Sequence, residues 1–290
     1  MSATPLTWGG RSIPAPGGLP AVAVSLTGPS LAQARSQARS AIEAEADVLE
    51  LRVDLLEETG ALAAPDPLDA ATAAAQVLEC LRGLGEVIAA DGADAGAGAP
   101  LLLTCRTAAE GGRAHLDDTA YGSLLRSVLD GLTDWTPERR PAAIDVEVQR
   151  GCLPQICAQA HALDIDVVAS FHDFEATPAD EVLDEVLARM AREGADLAKI
   201  AVWPTSTDDV ARLLGVCARA TAGAGEGTGP GVLVAAMSMG ALGAVSRVAP
   251  AFGSALTFAV VPDEQGQARV SAPGQLPIQD VRRCLELLRA

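Results

Sequence analysis

The sequence predicts an α/β fold, a (β/α)8 TIM barrel with an N-terminal hairpin that closes the barrel floor. Eight apolar runs of strand length recur along the 290 residues, and segments with helical periodicity separate most of them. The repeating part spans about 250 residues, which is the usual size of such a barrel. We therefore expect residues 1–290 to form a single barrel domain. An open doubly wound sheet is the alternative architecture.

The predicted strands are short and rich in Val, Leu, Ile and Ala, as in parallel sheets that are covered on both faces. In chain order they cover residues 21–26, 48–53, 101–105, 143–148, 166–170, 197–202, 232–236 and 255–261. Regular alternation of such strands with helices is typical of βα units that build one parallel sheet.

The segment after the fifth strand has the clearest helical pattern. Thr177 and Pro178 predict its cap and first turn, and Gly194 predicts its end. Its apolar stripe consists of Val182, Leu183, Val186, Leu187 and Met190. Similar stripes consist of Leu124, Leu125, Val128, Leu129 and Leu132, and of Ile278, Val281, Leu285 and Leu288.

Two segments fall outside the repeat. The Gly/Pro-rich stretch from Trp8 to Pro20 is expected to form the hairpin at the barrel floor. The Ala/Gly-rich stretch from Ala89 to Pro100 is expected to be a flexible surface loop.

Composition narrows the class of partner. The chain has 21 basic and 38 acidic residues, and this net charge of -17 argues against binding nucleic acid or anionic lipid. No apolar run reaches the roughly 18 residues that span a bilayer, and the first residues lack the pattern of a secretory leader. The six cysteines show no zinc-like or CxxC spacing, so we expect buried reduced thiols. A cytoplasmic protein with a small-molecule partner fits these features.

Lys199 is the only lysine in the chain, and it lies in the apolar run from Leu197 to Val202. A lysine amine can lose its proton and form an imine with a carbonyl, whereas an arginine stays protonated and is a poor nucleophile. A leftover surface lysine is the alternative, but a surface residue is not expected inside so apolar a strand. Lys199 is therefore a candidate covalent catalyst.

Polar residues end most of the predicted strands, and in a barrel these ends meet at one mouth. Taken singly, each has a structural explanation: Glu50 and Arg52 could form an ion pair, and His172 could be a core imidazole. Together, a lysine, a histidine, carboxylates and arginines at one mouth favour an active site. The main members are Glu50, Arg52, Asp54, Arg106, Glu110, Asp145, Glu147, Ser170, His172, Lys199, Arg247, Ser271 and Gln275.

The motifs at these positions resemble the type I 3-dehydroquinate dehydratases, the Schiff-base class of that dehydratase. The matching strings are ELRVD (50–54), TCRTAAEGG (104–112), SFHDF (170–174), GADLAKIAV (194–202), MSMGALGAVSR (237–247) and SAPGQ (271–275). They occur in the family's order and span most of the chain. The chain departs from the family in its long Ala/Gly-rich region and at Cys105, where larger apolar residues are common.

The resemblance implies a barrel, usually a homodimer, that converts 3-dehydroquinate to 3-dehydroshikimate in the shikimate pathway. A protonated imine on Lys199 would accept the charge that is left when the carbon beside a ketone loses its proton. No metal or organic cofactor is required, because the imine is the electron sink. The attacking amine must be neutral, and we expect burial and nearby arginines to favour that form.

We assign His172 as the general base that removes this proton and as the acid that helps the hydroxyl leave. On the resemblance, Glu110 orients His172. Arg247 is expected to hold the substrate carboxylate through two hydrogen bonds. The other substrate contacts are expected from Ser25, Glu50, Arg52, Arg106, Ser271 and Gln275.

Two rival functions stay open at the level of sequence. A class I aldolase or transaldolase could use the same barrel and lysine, but it would cleave a carbon-carbon bond. A catalytically silent barrel could bind a shikimate-type ligand as a sensor, but this predicts loss of the lysine or the histidine. Both the pathway to aromatic compounds and the breakdown of quinate contain this dehydration.

Overall fold

A computed structural model of the chain describes residues 4–63, 69–92, 98–226, 231–262 and 270–289. Its strands, in chain order, are β1 (Leu6–Trp8), β2 (Arg11–Ile13), β3 (Ala21–Leu26), β4 (Val48–Arg52), β5 (Leu101–Thr104), β6 (Ala143–Glu147), β7 (Asp166–Asp173), β8 (Leu197–Val202), β9 (Leu233–Ser238), β10 (Leu256–Val260) and β11 (Leu276–Pro277). Its helices are α1 (Leu31–Glu43), α2 (Ala70–Gly92), α3 (Asp118–Gly131), α4 (Leu153–His161), α5 (Asp180–Arg192), α6 (Thr207–Glu226), α7 (Gly240–Gly243) and α8 (Ile278–Leu287).

Eight parallel strands, β3 to β10, form a ring. Each strand from β3 to β8 pairs with the next, and β10 pairs with β3. The Ala255 N–H donates to the Val234 carbonyl at 2.7 Å, which joins β10 to β9 and completes the ring. This confirms the predicted (β/α)8 barrel and excludes the open doubly wound sheet.

Strand alternation decides which side chains enter the barrel. In β8, Ala198, Ile200 and Val202 pack outward in the main hydrophobic core, whereas Leu197 packs in a separate cluster at the bottom of the barrel. Lys199 follows Leu197 by two positions and so points into the barrel above it. β4 and β7 alternate in the same way, which brings Glu50 and His172 inside.

The hairpin of β1 and β2 closes the bottom of the ring. Trp8 and Ile13 are buried there among the first inward side chains of the strands, including Val48, Leu102 and Val168. The Trp8 indole Nε1 donates to Asp166 Oδ2 at 2.7 Å. The predicted floor hairpin is therefore confirmed, although its first strand begins at Leu6.

The predicted helical stripes are mostly buried against the ring. All five members of the stripe on α3 and its last turn are buried, as are Leu183, Leu187 and Met190 on α5. Val182 and Leu288 are instead 50% and 55% exposed. These two residues lie at the margins of their stripes, where the helix turns towards solvent.

Three local predictions were wrong in detail. Thr177 and Pro178 are not the cap and first turn of α5: the helix begins at Asp180 after Ala179, and the Thr177 hydroxyl instead donates to the Trp203 carbonyl at 3.1 Å. β7 runs to Asp173, three residues beyond the prediction, because His172 and Asp173 continue to pair with β8. Residues 89–92 of the predicted surface loop belong to α2, and residues 93–97 lie outside the described residues.

The cysteines are free thiols; five are buried and Cys284 is half-buried. Of the described helices, none is long and apolar enough to cross a membrane.

Candidate active site

Lys199 is buried inside the upper half of the barrel, with 5% of its surface exposed. Its Nζ lies 3.1 Å from Asp145 Oδ2 and 3.6 Å from Glu50 Oε1, and 4.6 Å from the centre of the Phe258 ring. The nearest charged neighbours of Lys199 are thus carboxylates, and Arg106 binds the other oxygen of Asp145. The expectation that burial and nearby arginines favour the neutral amine stays a prediction.

Arg106 is the centre of a buried network of charges. Its guanidinium donates to Asp145 Oδ1 at 2.8 Å, to Glu147 Oε1 at 3.1 Å and to the Ser170 hydroxyl at 2.8 Å. Burial opposes its charge, but the carboxylates of Asp145, Glu147 and Glu110 outweigh burial and raise the pKa of Arg106 well above its usual value. Arg106 is therefore a fixed cation.

Strand register explains why this network forms. Glu147 of β6 is level with Ser170 of β7, and Ser170 is level with Lys199 of β8. Asp145 lies two positions before Glu147 on the same inward face of β6. β6 and β7 thus present carboxylate and hydroxyl groups to the guanidinium of Arg106, which follows β5, and β8 brings the Lys199 amine to the other oxygen of Asp145.

His172 Nδ1 lies 2.8 Å from Glu110 Oε2. Burial lowers the pKa of His172 well below its usual value, and the cations Arg106, Lys199 and Arg52 act in the same direction. Burial raises the pKa of Glu110 to about 8, although Arg106 opposes this shift. Among the described residues, Glu110 Oε1 is buried without a hydrogen-bond partner, which is consistent with a carboxylate that is poorly solvated.

A turn at Gly111 lets the ring of Phe174 lie close to Glu110 and His172. Gly111 has a φ of +79°, and a Cβ at this position would lie 2.3 Å from the ring of Phe174. Phe174 is stacked on His172, with 6.4 Å between ring centres. Gly111 therefore permits both the turn after Glu110 and the close approach of Phe174.

Arg247 is a buried cation of a different kind. Its guanidinium donates to the carbonyl of Phe258 at 3.4 Å and to that of Pro273 at 3.1 Å, and in the described part of the chain it has no carboxylate partner. Burial lowers the pKa of Arg247 to about 10, so the group remains a cation at neutral pH. An anionic ligand would supply the missing counter-charge.

Four further predicted residues, Ser25, Glu50, Ser271 and Gln275, form a chain of hydrogen bonds. Ser25 donates to Glu50 in a very short hydrogen bond, and the Ser271 hydroxyl donates to that of Ser25 at 2.9 Å. Gln275 Nε2 donates to the Ser271 hydroxyl at 2.9 Å. Glu50 also accepts from the Thr104 hydroxyl at 2.9 Å.

Arg52 is held by Asp54 and not by Glu50. Its Nε and Nη2 donate to the two carboxylate oxygens of Asp54 at 2.8 and 2.7 Å. Asp54 lies just past β4, in a short 3-10 helix. The alternation of side chains along β4 therefore does not explain its contact with Arg52. The pair presents a fixed guanidinium to the mouth.

One cavity of about 470 Å³, open mouth included, unites the site. This is the size of a site for a small molecule. Nine of the ten predicted site residues line it: Glu50, Arg52, Arg106, Glu110, His172, Lys199, Arg247, Ser271 and Gln275. Ser25 does not line it and reaches it only through its hydrogen bonds to Glu50 and Ser271.

Sequence reasoning missed the contacts of two residues at the mouth and the apolar walls of the site. Asp145 and Ser170 were placed at strand ends without a partner, because their contacts depend on the register of three strands. The apolar walls formed by Phe174, Met237 and Phe258 were also missed. Their signal was present: Phe174 and Met237 lie within two of the family strings, and Phe258 occupies the last strand. Among the described residues, no cluster of three or more His, Cys, Asp and Glu side chains could hold a metal ion.

The sequence model of the family described as Type I 3-dehydroquinase matches residues 22–290. A 3-dehydroquinate dehydratase of Klebsiella pneumoniae is 36% identical over 271 residues, which cover 92% of each chain. One of Lactiplantibacillus plantarum is 35% identical over 274 residues, which cover 93% of each chain.

Solved structures give the same result for the fold. A type I 3-dehydroquinate dehydratase of Clostridium difficile, solved with covalently modified comenic acid, is 28% identical with a TM-score of 0.80, and the match covers 100% of this chain and 99% of that one. The enzyme from Geobacillus kaustophilus is 27% identical with a TM-score of 0.78, and the match covers 99% and 97% of the two chains.

Proposed function

Because the chain belongs to the type I 3-dehydroquinase family, we propose that it dehydrates 3-dehydroquinate to 3-dehydroshikimate through an imine on Lys199. One observation carries this function: a buried lysine and a neutral histidine line one small cavity that also contains an uncompensated guanidinium. The lysine supplies the imine, the histidine moves the proton, and the guanidinium binds the carboxylate.

The reaction begins when the Lys199 amine, having lost a proton, attacks the ketone of the substrate. Return of that proton and loss of one water give a protonated imine. His172 Nε2 removes a proton from the adjacent carbon, and the electron pair of that C–H bond moves into the imine system. The hydroxyl on the next carbon then leaves with the proton from His172, as water. Hydrolysis of the imine returns the amine, so the net change is the loss of one water.

Most of the remaining residues bind the substrate, and Arg106 stabilises the buried charges of the site. Arg247 binds the carboxylate, and Glu50, Arg52, Ser271 and Gln275 contact the hydroxyls or the carboxylate. Ser25 supports them through its hydrogen bonds to Glu50 and Ser271. Arg106 also faces the cavity, but its guanidinium already donates to Asp145, Glu147 and Ser170. We therefore assign it mainly to holding these groups in place and to adding positive charge.

Two measurements test this function. Addition of 3-dehydroquinate should raise the ultraviolet absorbance, because the conjugated product absorbs and the substrate does not. Borohydride added with substrate should leave a reduced adduct, which mass spectrometry should locate on the peptide with Lys199. Lys199→Arg keeps the charge and should lose both signals. No rise in absorbance at high enzyme concentration would remove the dehydratase assignment.

Other expectations from the sequence stay predictions. They are the homodimer, the cytoplasmic location, the single domain over residues 1–290 and the place of the reaction in aromatic biosynthesis.

A further inference from the structure

Building on that function, we propose that Asp145 is a positioning residue for Lys199. Its carboxylate fixes the position of Nζ and favours the protonated form of this nitrogen, first as the ammonium and then as the imine. Asp145 does not line the cavity, so it acts on the substrate only through Lys199.

Every polar atom of the Asp145 side chain is engaged. Oδ2 contacts Lys199 Nζ at 3.1 Å. Oδ1 accepts from Arg106 Nη2 at 2.8 Å and from the Ser170 hydroxyl at 2.6 Å. The side chain is fully buried. Because each oxygen has its own partners, the carboxylate has one orientation, and this orientation fixes where Nζ can lie.

The surrounding charges keep Asp145 ionised. Burial alone would raise its pKa, but Arg106 and Lys199 outweigh burial and hold the pKa of Asp145 below its usual value. Asp145 is therefore a permanent negative charge next to Nζ and not a group that keeps a proton taken from it.

The chemistry of the imine gives this charge its role. The ammonium and the protonated imine both carry a positive charge on the same nitrogen, whereas the free amine and the neutral imine do not. A carboxylate in contact with that nitrogen favours both charged forms. Asp145 thus opposes the first attack by the amine but strengthens the electron sink once the imine exists.

Glu50 is less suited to this role. Its Oε1 lies 3.6 Å from Nζ, and its oxygens also accept from the hydroxyls of Ser25 and Thr104. Glu50 lines the cavity, where a substrate hydroxyl can compete for it. The charged or titratable groups around Lys199 are Asp145 from β6, Glu50 from β4, Arg106 after β5 and His172 from β7.

The single lysine permits a direct test without substrate. Protein labelled with ¹³C,¹⁵N-lysine should give one set of side-chain signals, whose Cε shift reports the change from ammonium to amine as pH rises. In Asp145→Asn, the midpoint of this titration should move to lower pH by about 1 to 3 units, because a contacting negative charge is lost. The matched control is Glu147→Gln, which removes another buried acid bonded to Arg106 that does not contact Lys199.

An equal midpoint in Asp145→Asn and in the parent would overturn the role of Asp145, as would an equal shift in Glu147→Gln. The parent alone gives a further test if Asp145→Asn does not fold: a neutral amine in the parent at neutral pH would also overturn it. These results do not depend on which substrate the enzyme uses, so they are separate from the absorbance test of the dehydratase function.

Activity adds a second readout for the folded variant. Asp145→Asn should still form the borohydride adduct with 3-dehydroquinate, while kcat falls at least about tenfold, the equivalent of one unit in the proton affinity of the imine nitrogen. Loss of the adduct and of kcat in the same proportion would instead indicate a merely structural role.

Discussion

His172 and Glu110 share a buried hydrogen bond, with 2.8 Å between Nδ1 and Oε2. When the pair holds two protons, one lies between the residues and the other occupies Nε2 of His172. When the pair loses a proton, Nδ1–H donates to the carboxylate and the lone pair of Nε2 is free. Only the second state contains a general base that is ready to act.

The first prediction concerns the pH dependence of turnover. Burial raises the pKa of Glu110 to about 8, so kcat of the parent should rise as pH increases through about 8 and the pair loses its proton. Glu110→Gln cannot lose this proton, and its kcat should be lower and lack this rise. Initial rates by ultraviolet absorbance between about pH 6 and pH 10 would measure both profiles. The same rise in the variant would assign it to another group.

The second prediction concerns the pH dependence of stability. The pKa of Glu110 is about 8 in the folded protein, against 4.5 as its ordinary value. A group whose pKa is raised by folding contributes its full stabilisation below the pKa that it has in the unfolded chain. This contribution is lost as pH rises to the pKa that it has in the folded protein. The free energy of unfolding of Glu110→Gln, relative to the parent, should therefore increase between about pH 4.5 and pH 8 and then level off. Urea unfolding over this range would show no such trend if Glu110 were ionised throughout.

The third prediction separates imine formation from proton transfer. His172→Ala should still give the borohydride adduct on Lys199, because the amine is unchanged, but kcat should fall by about 10² to 10⁴. Mass spectrometry of the reduced protein and steady-state rates would give both values. Full activity in this variant would assign the general base to another residue.

The fourth prediction concerns the buried guanidinium of Arg247. Arg247→Met keeps a side chain of similar length but removes the charge, so KM for 3-dehydroquinate should rise about 30-fold or more, the equivalent of roughly 2 kcal/mol for a buried charge pair. A ligand with a carboxamide in place of the carboxylate is the control, and it should bind the parent and the variant equally. An equal loss of affinity for both ligands would place the carboxylate elsewhere.

The fifth prediction concerns the floor of the barrel. Trp8→Ala should lower the free energy of unfolding by about 3 to 5 kcal/mol through the cavity that it leaves. Trp8→Phe should cost less, at least about 1 to 2 kcal/mol, because it keeps a buried ring but removes the hydrogen bond to Asp166 and part of the ring volume. Denaturant unfolding measures both values. The kcat of folded protein should not change, because Trp8 lies at the end of the barrel opposite to the cavity; a large loss of kcat would show coupling through the barrel interior.

The barrel itself follows from local patterns that the sequence contains. In β8, the alternation of Leu197, Lys199 and Ala201 with three outward apolar residues is enough to place the lysine inside once the strand is assigned. The same rule places Glu50 and His172. Residues at the mouth were therefore predictable without knowledge of any contact between them.

The pairing of side chains across strands was not predictable in this way. Asp145 meets Lys199 across an intervening strand, and this contact depends on the register of β6, β7 and β8. Arg52 selects Asp54 because the chain turns into a 3-10 helix after β4. Thr177 does not cap α5, and its hydroxyl donates to the carbonyl of Trp203 instead. In each case a tertiary contact outweighs the local pattern.

The closed floor also determines how molecules exchange with the site. With Trp8 and Ile13 packed across one end of the barrel, the described residues leave the cavity open at the other end. In the proposed reaction, substrate and product use this same opening, so a bound product has to leave before the next substrate can enter. Release of product and binding of substrate are then coupled, because the two compete for the same empty enzyme.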